Sequence, residues 1–295
     1  MLMESVRIPC YKFMLFAVLA FMLGVTALMN TADATETDTD SSDRQSYEPA
    51  AMSDTGLNYV ALGDSITAGY GIETGYVTRY AAYIESDSGR PVAVANLGRN
   101  GWTSTDLLRA LRESPGFQDA VRNADLVTWK IGTNDLREAR LKYKFGTCGG
   151  KYNQRCLRTA TQKFKANWNA ITQEVMDLRS GRETALRTAT IYYPYVRADK
   201  VNDSWKKDGG LKDFQVLSPY YHAVNRHVSA TAADMVIPCA GVYAAFNGAS
   251  GEEDPKAKEY LLPDWVHPNE TGHEVIAGLL RDTGYAPPQT QTPAS

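Results

Sequence analysis

Between residues 57 and 283, short apolar segments alternate with longer amphipathic ones, and that rhythm leaves the chain few architectures. The apolar segments are LNYVAL (57–62), PVAVANL (91–97), ADLVTWKIG (124–132), RTATIYYP (187–194) and DMVIPCA (234–240). Between them, TGYVTRYAAYIES (74–86), TSTDLLRALRE (103–113), ATQKFKANWNAITQEVMDLRS (160–180) and PYYHAVNRHVSATAA (219–233) have helical spacing. A last helix is expected from about Glu270 to Thr283. Strands separated by helices pair in parallel and need cover on both faces. The predicted fold is therefore α/β, a three-layer α/β/α sandwich with a central parallel sheet. Polar stretches at 137–158 and 196–218 read as insertions that follow strand ends.

The ends of the chain stand apart from this pattern. Arg7 and Lys12 precede an uncharged apolar run, FMLFAVLAFMLGVTALM (13–29), and a polar, acidic stretch follows it. That order fits a cleavable export signal with an Ala32-Asp33-Ala34 cleavage site, or a retained membrane anchor. Either places the rest outside the cytoplasm. The expected organisation is a signal or anchor at 1–34, a disordered linker at 35–56, one domain at 57–285 and a disordered tail at 286–295. A formal net charge of -3 gives no basic field for nucleic acid, so no nucleic-acid partner is expected. Membrane contact is expected only through an uncleaved N-terminal segment, and nothing in the sequence fixes an oligomeric state.

The strand ends carry the chemistry. In an open parallel sheet, reacting groups collect where strands lead into helices. The first strand breaks into Gly63-Asp64-Ser65, and a serine there can act as a nucleophile or merely cap a helix. Serine hydrolysis also needs a base, a carboxylate to orient it and donors for the tetrahedral oxyanion. Candidates leave the other strands: NLGRNGWTS with Gly98 and Gly101, IGTNDL with Asn134, and PDWVHPNETGH with Asp264 three residues before His267. Taken singly, each block also has a plain structural use as a turn or helix cap.

In order, Gly-Asp-Ser, N-x-G-x-x-G, G-x-N-D and D-x-x-H resemble the four signature blocks of the SGNH, or GDSL-type, hydrolase superfamily. The resemblance covers about Leu57 to Thr283 and implies a flavodoxin-like sheet and no metal or cofactor. It implies Ser65 as nucleophile, His267 as general base and then acid, and Asp264 as the orienting carboxylate. The oxyanion donors it implies are the Ser65 and Gly101 amides and the Asn134 side chain, with Gly98 as the fallback for Gly101. The first block reads Gly-Asp-Ser-Ile where the family name has Leu, a change of packing rather than of chemistry. No G-x-S-x-G elbow occurs, which sets the α/β-hydrolases aside.

His222, His227 and His273 lack the spacing of zinc motifs and are expected in core or surface roles, while Asp64 is expected to satisfy backbone amides. Cys148 and Cys156 bracket a Gly-rich loop and form the expected disulfide. Cys239 is left as a buried thiol or as the true partner of one of them, and Cys10 would leave with the signal. Tyr143, Phe145, Tyr152 and Trp205 in the insertions could wall a substrate site or anchor their loops. The expected activity is that of an exported carboxylesterase or lipase/lysophospholipase on a small-molecule, lipid or sugar ester. The alternatives are a carbohydrate acetylesterase and a non-hydrolytic acyltransferase or ligand-binding protein.

Overall fold

The computed structural model describes residues 56–286. The expected signal or anchor at 1–34, nearly all of the linker at 35–56 and nearly all of the tail at 286–295 lie outside the described residues, as does Cys10. In chain order the elements are β1 (Leu57–Gly63), α1 (Ser65–Ala68), α2 (Tyr76–Ser88), β2 (Val92–Gly98), α3 (Ser104–Glu113), α4 (Pro115–Asn123), β3 (Leu126–Lys130) and α5 (Thr133–Lys144). They continue with α6 (Arg155–Leu178), β4 (Ala185–Ala189), α7 (Val196–Val201), α8 (Asp213–Asp234), β5 (Cys239–Ala240), α9 (Val242–Asn247) and α10 (Glu270–Asp282).

The strands form one parallel sheet in the order β2-β1-β3-β4-β5. This is the flavodoxin-like order, and its reversal point falls between β1 and β3, where ligands of such sheets bind. Helices cover both faces. On one side α3, α4, α5, α6 and α8 bury Leu107, Val121, Leu136, Trp168 and Val224 against Val60, Leu62, Val127 and Trp129. On the other, α2, α9 and α10 bury Tyr80, Phe246 and Ile276 against Tyr59 and Ala61. The sandwich is the expected fold.

Several elements differ from expectation: β4 runs over Ala185–Ala189 rather than 187–194, α6 begins at Arg155, α4, α7 and α9 are additional helices, and three further differences bear on the site and its surroundings. Residues 133–144 form α5, although TNDLREARLKYK is too polar to read as a helix; its buried apolar residues are Leu136, Ala139 and Tyr143, joined by Thr133, Asp135 and Arg140. Helix α8 begins at Asp213, six residues before the expected start, with Pro219 inside its early turns. β5 is two residues long where seven were expected, because it pairs only at Thr188↔Cys239 and Ala189↔Ala240.

The two insertions are joined by buried charge. Arg140 of α5 forks onto Asp199 of α7 at 2.7 and 2.6 Å, and Lys144 reaches Asp213 of α8 at 2.6 Å. Tyr143 is buried and donates to Asp208, so it anchors its loop, whereas Phe145 and Tyr152 are exposed. Cys148 and Cys156 are disulfide-bonded, leaving Cys239 as a free thiol. Among the described residues, no helix is long and apolar enough to cross a membrane.

Candidate active site

Ser65 stands where β1 turns into α1. Gly63 is required because any Cβ there would collide with Thr67 Oγ1 and the Lys130 carbonyl of the adjacent strand. Asp64 caps the helix, its Oδ1 accepting the Ile66 amide at 3.0 Å. Ser65 is the first helical residue, so its own amide is one of those a helix start cannot satisfy internally.

Asp264 and His267 come from one tight loop before α10. An antiparallel bridge pairs Leu261 with Pro268, the Leu262 amide donates to the His267 carbonyl at 2.8 Å, and Trp265 takes a left-handed φ of 63°. Asp264 Oδ1 accepts the amides of Val266 and His267 at 2.9 and 3.0 Å, and its Oδ2 lies 2.5 Å from His267 Nδ1. His267 Nε2 lies 2.8 Å from Ser65 Oγ. The carboxylate fixes the tautomer: Nδ1 carries the hydrogen and Nε2 accepts from the serine hydroxyl. Partial burial alone would raise the Asp264 carboxyl, but the hydrogen bonds from the His267 ring and the two amides overcome it and hold it below its ordinary value.

Gly101 lies in the loop leaving β2 and Asn134 at the start of the helix that follows β3, the strands that flank β1. The Gly98 amide is used within its own turn, donating to Asn96 Oδ1 at 3.0 Å, and a Cβ on Gly98 would strike the backbone of α1. Gly101 is exposed, with a φ of 78° that favours glycine. Asn134 sits in the first turn of α5, its Nδ2 donating to the Trp102 carbonyl at 2.9 Å. The next residue pins that turn to α3: Asp135 accepts from the Ser104 amide at 2.9 Å and the Ser104 hydroxyl at 2.5 Å. Burial pushes the Asp135 carboxyl up to about 6 against those two bonds.

Two tyrosines here were not singled out in the sequence. Tyr70, half exposed, has its ring 4.3 Å from that of His267, and Tyr192, fully buried, donates to the Val266 carbonyl. Tyr70 lies five residues after Ser65, close enough in sequence to have been suspected, whereas Tyr192 looks like any strand residue. Of the remaining histidines, His222 meets the Tyr243 ring edge-on, His227 pairs with Asn169 at 2.7 Å and His273 is buried. Among the described residues, no cluster of His, Cys, Asp or Glu is arranged to hold a metal ion.

The model of the GDSL-like lipase/acylhydrolase family matches residues 61–275. The chain belongs to this family. Over 234 residues it is 26% identical to the spore germination lipase LipC of Bacillus licheniformis, a match covering 78% of this chain and 97% of that one. Among solved structures it resembles the lipase Lip_vut3 from a goat rumen metagenome, with TM-score 0.63 and 24% identity over 78% of this chain and 98% of that one. It also resembles Axe2, an acetylxylan esterase from Geobacillus stearothermophilus, with TM-score 0.52 and 21% identity over 78% and 95% of the two chains. The structural likenesses establish the shared fold. Membership of the GDSL-like family, together with the LipC match, supports an ester hydrolase.

Proposed function

We propose that this GDSL-like protein is an exported serine esterase of carboxylesterase or lipase type, cleaving acyl esters through an acyl-serine. The observation that carries the reading is the hydrogen-bonded chain from Ser65 Oγ through the His267 ring to Asp264 at the carboxyl end of β1. His267 Nε2 takes the hydroxyl proton as Ser65 attacks the ester carbonyl, and Asp264 steadies the imidazolium. The Ser65 and Gly101 amides and the Asn134 side chain supply donors to the oxyanion. The alcohol leaves with the proton held on His267. Water, deprotonated by the same ring, then releases the acid.

Exposed aromatic surface favours an acyl chain. Tyr70 flanks His267, Trp265 is exposed in the Asp264–His267 loop, and the LipC relative is itself a lipase. The Cys148–Cys156 disulfide suits an oxidising compartment and supports export. Hydrolysis of p-nitrophenyl esters from acetyl to long acyl, by the full chain and by Ser65→Ala, tests the reading. The variant is expected to lose at least about 10⁴-fold in kcat, and a variant as active as wild type overturns the serine mechanism. Turnover confined to acetyl esters of sugars would replace the lipase reading with a carbohydrate acetylesterase, and acyl passed only to an added alcohol would replace it with an acyltransferase.

A further inference from the structure

The sheet face under α2 and α10 holds charge for which the ester-cleaving steps give no role. Lys130, the last residue of β3, is 2% exposed. Its register partner on β1 is Gly63, the residue before Asp64. Its Nζ lies 5.6 Å from the centroid of the Tyr192 ring, and the Tyr192 hydroxyl donates to the carbonyl of Val266, next to His267. Lys130 thus neighbours both the turn that carries Ser65 and the residues that carry His267.

Asp64 is fully buried beside the nucleophile. Its Oδ1 caps α1, while its Oδ2 and Lys130 Nζ have no hydrogen-bond partner among the described residues. His273 on α10 is also buried: its Nδ1 accepts the Tyr76 amide at 2.9 Å, so Nε2 carries the hydrogen, and that atom too is unpartnered. An isolated carboxylate behind Ser65 would act against the reaction. Its charge would oppose the forming oxyanion and would hold a proton on His267, and low-polarity surroundings would amplify both effects.

We propose that Lys130 is a positioning residue for the Ser65–His267 pair, its buried ammonium balancing the Asp64 charge so that a carboxylate can cap the nucleophile's helix without suppressing His267 as a base. The inference rests on the ester-hydrolase reading above. The groups facing this pair are Asp264, Tyr70, Tyr192 and His273 around His267, and Tyr76, Tyr192 and His273 around Asp64 and Lys130, with Arg79 of α2 beyond His273. Burial, reinforced by Lys130, Arg79 and His267, pushes His273 down to about 3 and keeps it neutral. Tyr76 and Tyr192 are pushed up by burial and remain phenols. Burial also pushes the Lys130 ammonium down, and the Asp64 charge acts against that.

The test compares the full chain with Lys130→Met, Asp64→Asn and the double variant, measuring the pH profile of kcat/KM and the NMR titration of the His267 ring. Asparagine keeps the capping oxygen of Asp64. Lys130→Met is expected to move the acidic limb and the His267 titration up by about one pH unit and to lower kcat about tenfold, the scale of one uncompensated charge nearby. The double variant is expected to return both to near wild type. A Lys130→Met profile that coincides with wild type, or a shift that survives in the double variant, overturns the proposal. If Lys130→Met does not fold, Asp64→Asn alone decides: its His267 titration must move to lower pH, and an unmoved titration is equally fatal. A wild type that turns over no ester refutes the esterase reading instead, while the ring titration still reports the charge balance.

Discussion

On the sheet face under α3, α5, α6 and α8, the strands contribute Val60, Leu62, Val127, Trp129 and Leu186, whereas on the face under α2 and α10 Tyr59, Thr128, Lys130 and Arg187 stand among Ala61, Leu126, Ala185 and Ala189. Strand alternation sends neighbouring residues to opposite faces, so the same few residues of β3 serve both. The first face is packed hydrocarbon and ring. On the second, Tyr59 and Thr128 share a hydrogen bond, Arg187 donates to the carbonyls of Gly284 and Ala286, and Lys130 is buried with no hydrogen-bond partner among the described residues. Burying polar and charged side chains stabilises a fold less than burying apolar ones of similar size. The comparison teaches that the strands give up large apolar side chains on the face beneath Ser65, where Tyr59, Lys130 and Arg187 are buried instead.

The sharpest way to break this division is to hollow the apolar face. Trp168 of α6 is buried with its ring 6.3 Å from that of Trp129, and Trp168→Ala is expected to cost about 3–5 kcal/mol in stability. Denaturant unfolding checks the cost, and kcat of the fraction still folded should stay within a few-fold of wild type; a large loss of kcat would mean that the faces are not separable. Asn134→Ala probes the rim between them and is expected to lower kcat by about 10²–10³-fold. Urea unfolding should show little change, since the side chain makes one partly buried hydrogen bond to Trp102.

A pH-dependent effect sharpens the comparison from the polar side. His273 is held at about 3 in the folded chain, below the 6.5 of a free histidine. Between those values the unfolded chain binds the extra proton, so stability falls as pH drops from about 6.5 toward 3, by at most about 1.4 kcal/mol per pH unit. His273→Gln removes that term, and thermal unfolding from pH 7 to pH 4 should show a shallower decline than wild type. Equal slopes would place the acid sensitivity elsewhere.

What could be read from the sequence follows from this contrast. The β1 and β3 segments were legible because both their faces are buried, and the half-exposed edge strand β2 because it is an unbroken Val/Ala run; Gly63, Gly98 and Gly132 mark their ends. The Asp264–His267 pair was legible because three residues of separation suffice to bring the groups together. Helix α5 was not, since its inward apolar side chains are few and its buried face also includes Thr133, Asp135 and Arg140. The early turns of α8 were hidden by Pro219, which marks a helix start more often than an interior. Lys130 reads as part of an apolar strand, because no local pattern distinguishes a buried lysine from one at a solvated strand end. Its partner Asp64 lies 66 residues away in sequence and becomes a neighbour only through the β1–β3 register.

The tight loop from Leu261 to Pro268 has a last consequence. Because the imidazole and its carboxylate sit on one short stretch, closed by its own backbone hydrogen bonds, the dyad travels as a single rigid part. The segments between the strands can lengthen, shorten or exchange their side chains without disturbing it, provided that one distance, from the ring to Ser65 Oγ, is kept. On the proposed esterase reading, a fold wired in this way diversifies its substrates by rebuilding the surroundings of one prefabricated loop, so that loop exchange elsewhere would change ester specificity while leaving Ser65, Asp264 and His267 untouched.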